Sequence, residues 1–124
     1  MEKITIDDLL GAAKLREKNK TFEVELEQEG LEGKVLTCRV LTRDEIFEAL
    51  DSKDPDLEVT YMACDMFRDN RLVEGLNCKQ DPRQVVTKML DPDTIYSISA
   101  LVMAKSGATS RKDFAKIVEE DAKK

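Results

Sequence analysis

Two carboxylates whose spacing suits acid–base chemistry lie in the middle of the sequence. Asp65 and Asp69 are four residues apart, so a helix would place both on one face. Close carboxylates of this kind can act as a paired acid and base. Arg68 and Arg71 lie beside them, however, and carboxylates among arginines are typical of a solvated ionic face. We therefore interpret this cluster as ionic surface and not as a catalytic pair.

The residue types that most often support catalysis or metal binding are missing or isolated. No histidine is present, so a serine or cysteine nucleophile would lack its usual base. Cys38, Cys64 and Cys78 form no CxxC pair, which argues against a zinc site or a disulfide framework and favours reduced thiols. No glycine-rich phosphate-binding motif occurs, and DNRLVEG lacks the ligands of a calcium-binding loop. We therefore expect no catalytic site, metal or cofactor, and a protein that is not an enzyme.

The charge of the chain is negative and unevenly distributed. Residues 1–60 hold 9 basic and 16 acidic groups, whereas residues 61–124 hold 11 and 10. An acidic half argues against nucleic-acid binding and permits a basic protein partner. The longest apolar run, residues 100–104, is too short to span a membrane, and the start MEKITIDDLL lacks a signal-peptide pattern. We expect a cytoplasmic protein that binds neither nucleic acid nor membranes.

The N-terminal part of the sequence predicts one helix and a β-hairpin. Thr5 and Asp8 have the spacing of a capping box at the start of a short amphipathic helix, which must dock on something to be stable. Its apolar side consists of Ile6, Leu9, Leu10 and Ala13. The apolar period then changes to 2 in TFEVELEQ and KVLTCRVL, which predicts two strands joined by EGLEGK. The glutamates of the first strand either protect an exposed edge or form an acidic contact stripe.

Helices are predicted for the rest of the chain. Thr42 and Glu45 have the spacing of a second capping box. Each of the three prolines follows an aspartate, at residues 54–55, 81–82 and 91–92, and an Asp-Pro pair is typical of a helix start. The apolar spacing continues into a last helix near the C-terminus. The sequence thus predicts about five short helices after the hairpin.

These elements define an α+β fold in a single domain, residues 1–124. An N-terminal helix and a two-stranded antiparallel β-hairpin occupy residues 1–41, and a bundle of about five short helices occupies residues 42–124. The strands and helices are segregated along the chain and do not alternate, which excludes a parallel β-α-β sheet.

Apolar faces of the last two helices are the candidate surface for a protein partner. The chain has no Trp, two Tyr and four Phe, so its core is thin, and another chain could complete some of these faces. The alternative is that the same side chains simply form the core of the monomer. The candidate partner-binding residues are Ile95, Ile98, Leu101, Val102, Phe114, Ile117 and Val118.

The order of the elements resembles a known family of phage proteins. The segments that carry the resemblance are TIDDLL, the hairpin FEVEL to TCRVL, TRDEIFEAL, VTYMACDMFRDNRL, DPRQVVTKML, DPDTIYSISALVMAKSG and an acidic C-terminal helix. In this order they resemble the XkdN-like tail assembly chaperones of long-tailed bacteriophages and phage-derived tail particles. The resemblance extends over nearly the whole chain as a pattern of elements and includes no invariant chemical motif.

The resemblance implies a non-catalytic chaperone that works in the bacterial cytoplasm and is absent from the finished virion. It would bind the tape measure protein and keep it soluble while tail tube subunits polymerise around it. The tail tube protein and further copies of the same chain, in a homo-oligomer, are additional partners that it allows. The alternatives are a structural tail or tail-completion protein that stays in the particle, and a host regulatory adaptor with one defined partner.

Overall fold

The computed structural model describes residues 2–108 of the chain. These residues form two antiparallel strands and six α-helices, with one 3-10 helix between the third and fourth α-helices. In chain order the elements are α1 (Ile6–Lys18), β1 (Thr21–Glu25), β2 (Val35–Arg39), α2 (Arg43–Leu50), α3 (Pro55–Ala63), the 3-10 helix (Asp65–Arg68), α4 (Asn70–Gly75), α5 (Gln84–Met89) and α6 (Pro92–Lys105). The predicted α+β fold class is confirmed. Within residues 2–108, every helix is too short or too polar to cross a membrane.

Capping boxes begin α1 and α2, as the sequence predicts. The Thr5 hydroxyl accepts a hydrogen bond from the Asp8 amide at 3.1 Å, and the Asp8 carboxylate accepts one from the Thr5 amide at 3.0 Å. Thr42 and Glu45 exchange the same two bonds ahead of α2, at 3.2 and 2.9 Å. Each box satisfies backbone donors that the first turn of a helix leaves without a partner.

Alternating side chains fix the register of the hairpin. β1 pairs with β2 so that Phe22 lies opposite Cys38 and Val24 lies opposite Leu36. Val24, Leu36 and Cys38 are buried and Phe22 is half-buried, whereas the residues between them along each strand are exposed. A shift of one residue would turn this apolar set to solvent. Gly33 in the connecting loop has φ +77°, a conformation that glycine adopts without steric cost.

One hydrophobic core joins the hairpin to the helices. α3 packs mainly against α6 and also contacts α2 and α5. The largest side chains at the centre of this core are Leu41, Val59, Val85, Val86, Ile98 and Val102. Thr60 is buried among them, and its hydroxyl donates to the Ile95 carbonyl at 3.3 Å. Among the described residues, every buried polar side-chain atom has a hydrogen-bond partner, as expected of a well-packed core.

Two sets of hydrogen bonds hold the hairpin segment against α6 and against the loop that precedes α6. The Gln28 side chain donates to the Met89 carbonyl at 2.8 Å and accepts from the Asp91 amide at 2.7 Å. At the other end of α6, the Ser106 hydroxyl accepts from the Leu41 amide at 2.9 Å. These links join segments more than sixty residues apart and set the position of α6 beside β1.

The spacing of Val59, Met62, Ala63, Met66 and Phe67 predicts one continuous helix, but the structure interrupts it. α3 ends one residue before Cys64, which adopts φ −120° and ψ 97°, and the 3-10 helix follows. The break lets both Cys64 and Phe67 enter the core and leaves Met66 65% exposed. Arg68 donates to the Tyr61 carbonyl at 2.8 Å, which gives a partner to one of the carbonyls that the helix end leaves free.

Helix starts at the Asp-Pro pairs agree with the structure at two of three places. α3 and α6 each have proline in the first turn, as predicted. α5 begins only at Gln84, because residues 81–83 form a tight turn in which the Gln84 amide donates to the Asp81 carbonyl at 3.0 Å. The short helix α4 has no counterpart in the sequence-based prediction. The predicted C-terminal helix lies outside the described residues.

Candidate partner-binding surfaces

The structure divides the predicted partner-binding residues between the core and the surface. Ile95, Ile98 and Val102 point from α6 into the core, with 9%, 1% and 0% of their surface exposed. Leu101 is 46% exposed. The first three side chains therefore stabilise the monomer, and of these four only Leu101 is available to a partner. The other candidates lie outside the described residues, namely Phe114, Ile117 and Val118.

Leu101 lies beside a groove between the hairpin and α6, which we name the hairpin–α6 groove. It has a volume of about 320 Å³. Its lining consists of residues 24–28 of the hairpin together with Asp93, Thr94, Ser97, Ile98 and Leu101 of α6. The polar links of Gln28 to the loop before α6 hold its two walls together.

The hairpin–α6 groove combines an apolar floor with an acidic rim. Buried apolar side chains of the hairpin and α6 form the floor, and Leu101 adds an exposed one. Glu25, Glu27 and Asp93 supply carboxylates, and no lysine or arginine is among the described residues that line the groove. A site of this kind suits a protein segment whose apolar side chains are flanked by basic residues, because the apolar part is desolvated while the charges pair at the rim.

A second apolar surface lies on α1. None of the thirteen residues of this helix is buried, and Ile6, Leu9 and Leu10 are 71%, 51% and 56% exposed. With Ala13 they recur at spacings of three and four, so they form one continuous strip, which we name the α1 stripe. The sequence predicts that this side of the helix docks on something. Within residues 2–108, the α1 stripe does not join the core.

Two more exposed apolar side chains lie on α2. On α2 only Ala49 is buried, while Phe47 and Leu50 are 53% and 55% exposed. The guanidinium of Arg43 lies 4.7 Å from the centre of the Phe47 ring, so a cation–π contact covers one face of that ring. A pair of exposed apolar residues of this size is common on protein surfaces and does not by itself indicate a binding site.

Asp65 and Asp69 are each engaged by arginine. Asp65 forms an ion pair with Arg68 and lies 3.9 Å from the Arg39 guanidinium, and Asp69 accepts a bond from Arg71 at 3.3 Å. The hydrogen bonds from Arg71 lower the pKa of Asp69 from its ordinary value. The two carboxylates are thus paired with different cations and do not form a shared acid–base site.

The cysteines are small core side chains in this fold. Cys38 of β2 and Cys64 after α3 lie with their sulfur atoms 3.4 Å apart, and they are 1% and 0% exposed. The hydrogen bond with Cys38, together with burial, raises the pKa of the Cys64 thiol. Cys78 is also buried, and all three are free thiols. Over residues 2–108, histidine, cysteine, aspartate and glutamate side chains form no group of three that could hold a metal ion.

The sequence alone indicates only some of the residues that line the hairpin–α6 groove. The glutamates of β1 were a visible signal, since an acidic contact stripe was one of two interpretations of that pattern. Asp93 and Ser97 gave no signal, because their role depends on α6 packing beside the hairpin. Leu101 is among the predicted partner-binding residues, together with three residues of α6 that the structure buries.

No protein-family model, curated protein or solved structure matches the chain. The features that bear on function are the two apolar surfaces, the charges around them and the order of the elements.

Proposed function

We propose that the protein is a non-catalytic tail assembly chaperone that binds the tape measure protein of a long-tailed bacteriophage or phage-derived tail particle. It would act in the cytoplasm of the bacterial host and leave before the particle is complete. The resemblance to XkdN-like chaperones supplies the identity of the client. The observation that carries the proposal is the hairpin–α6 groove, which offers apolar surface and acidic groups to a protein segment.

The groove suits temporary binding of a long client. At about 320 Å³ it admits a few side chains and not a whole domain, so each contact is weak. A long polypeptide can be held by many weak contacts at once, because several copies along it raise the effective affinity. Weak individual contacts also permit release when tail tube subunits replace the chaperone.

Carboxylates at the rim give the groove a preference among client segments. Glu25, Glu27 and Asp93 attract segments in which lysine or arginine flanks apolar residues. The excess of acidic groups over the whole chain, with a net charge of −6, keeps a complex with such a client soluble. The proposed activity therefore requires binding surface and charge, and no reactive group.

Co-expression with the tape measure protein tests this proposal. The full chain is expected to raise the soluble fraction of that client and to co-elute with it in size-exclusion chromatography with light scattering. Leu101→Asp places a charge at the groove and is expected to weaken client binding at least tenfold, about the effect of losing one well-packed apolar contact.

Tyr96→Asp is the matched control, because Tyr96 is 60% exposed on the same helix and does not line the groove. This variant is expected to hold the client as well as the wild type does. A client that precipitates in the presence of the wild-type chain contradicts the proposal. Recovery of the chain from purified tails would instead assign it to the structural components of the particle.

A further inference from the structure

α1 is a helix without a partner inside the described part of the chain. It has thirteen residues, none of them buried, and a helix of that length is only marginally stable in water without tertiary contacts. Its C-terminal end approaches the body of the protein, where Leu15 and Arg16 border a small crevice with Val40 and Lys105. The α1 stripe lies on the side of the helix opposite Leu15 and extends from Ile6 to Ala13.

On one flank of the α1 stripe, charges of opposite sign lie towards the two ends of the helix. At 100° per residue, Asp7 and Lys14 lie on the same flank of the stripe, one near the start of the helix and one near its end. Both side chains are exposed. The first turn carries Asp7 and Asp8, and the last turn carries Arg16 and Lys18 with Glu17 between them, which pairs with Lys20 at 3.0 Å.

This pattern is self-complementary in one orientation. When two identical helices pack antiparallel, the same flank of each meets the other, so Asp7 of one copy lies beside Lys14 of the second. In a parallel pair opposite flanks of the two helices meet, so Asp7 and Lys14 of one copy would lie on the other side of the interface from those of the second and form no such pairs. The charges therefore select the antiparallel arrangement, and the α1 stripe supplies its apolar centre.

We propose that the occupant of the α1 stripe is a second copy of the chain, bound through an antiparallel α1–α1 contact. The interface is isologous, with Leu9 and Leu10 of each copy near the two-fold axis. Two helices of this length bury less than the roughly 1,200 Å² of stable interfaces, so the expected dissociation constant is about 1 to 100 µM. This inference is independent of the proposed client.

Sedimentation velocity of the full chain over a range of concentrations tests the dimer. The wild-type mass is expected to rise from 14.1 kDa towards twice that value as concentration increases. Leu10→Asp places a charge in the stripe and is expected to raise the dissociation constant at least tenfold. Leu15→Asp adds the same charge to the other side of the same helix, where Leu15 is 60% exposed, and is expected to leave the dimer unchanged.

A charge exchange tests the orientation. Asp7→Lys and Lys14→Asp are each expected to weaken the dimer severalfold, and the double variant is expected to restore it because both pairs are re-formed with reversed sign. In a parallel pair the flanks that carry Asp7 and Lys14 do not meet, so neither the loss in the single variants nor the restoration in the double variant would be seen.

The proposal is overturned by a wild-type chain that stays monomeric up to about 1 mM, well above the expected dissociation constant. It is also overturned by a dimer that survives Leu10→Asp. If Leu10→Asp lowers the unfolding free energy without any change of mass, the stripe is covered within its own chain and the proposal is likewise wrong. Because Leu10 is 56% exposed, the core remains intact in this variant, and a circular dichroism spectrum verifies that.

Discussion

Glu45 performs two functions at the start of α2, and the structure allows them to be separated. Its carboxylate closes the capping box with Thr42 and also accepts two hydrogen bonds from the Arg39 guanidinium, at 2.9 and 2.6 Å. The bonds from Arg39 are the main reason why the pKa of Glu45 falls from 4.5 to about 2. This ion pair joins the end of β2 to the start of α2.

Glu45→Gln retains the cap and removes the charge, so it isolates the ion pair. At pH 7 we expect the unfolding free energy to fall by about 1 to 2 kcal/mol, a value reduced for solvent screening of a carboxylate that is 28% exposed. The folded-state pKa is depressed, so this contribution is present above pH 4.5 and is lost as the pH falls towards about 2. Urea unfolding of both proteins at pH 7 and pH 2.5 measures the difference.

Glu48→Gln is the control for this measurement. Glu48 lies on the same helix, is exposed and has no ion pair among the described residues. We expect its substitution to change the unfolding free energy by less than about 0.5 kcal/mol at either pH. A wild-type advantage over Glu45→Gln that is equally large at pH 2.5 would show that the charge is not its source.

Gln28 connects two elements that no local sequence pattern would bring together. Its amide satisfies the Met89 carbonyl and the Asp91 amide, one on each side of the connection between α5 and α6. We expect Gln28→Ala to lower the unfolding free energy by about 1 to 2 kcal/mol, because the partly buried bond to the Met89 carbonyl and the exposed bond from the Asp91 amide are both lost. Gln80→Ala, at an exposed glutamine, serves as the control, and equal effects of the two in urea unfolding would contradict this role.

Local signals predicted most elements because their causes are local. The capping boxes, the period-2 alternation and the aspartate before α3 each act within a few residues. The break at Cys64 was not predictable in this way, since the helical spacing of apolar residues continues through it. The reason for the break is tertiary: the core accommodates both Cys64 and Phe67 only when the backbone turns there.

The candidate surfaces show the same division between local and tertiary causes. An apolar stripe on a helix is visible in sequence, but whether the stripe faces the core or solvent is not. The sequence predicts that α1 docks on another element, whereas none of its residues is buried. On α6 the packing of α3 buries three of the four predicted partner-binding residues and leaves Leu101 exposed. The groove itself combines residues 24–28 with residues 93–101, and only the fold brings them together.

At the scale of the whole molecule, one core carries two apolar surfaces that share no residue. The α1 stripe precedes the hairpin, whereas the hairpin–α6 groove lies between β1 and α6. A dimer formed through α1 would therefore leave both of its grooves open. Two grooves in one complex can engage two segments of a long client, which strengthens binding without any new contact in either groove.

Separate surfaces predict that the two activities can be removed independently. We expect Leu101→Asp to lose client solubilisation and still dimerise in sedimentation velocity. We expect Leu10→Asp to become monomeric and to bind a short client peptide with unchanged affinity. It is expected to solubilise the full-length client less well, because a monomer has one groove and the dimer has two. Isothermal titration with the peptide and co-expression with the whole client measure these effects. The proposed separation is wrong if either variant abolishes both dimerisation and client binding while its circular dichroism spectrum shows an intact fold. In that case α1 and the groove form one continuous binding surface.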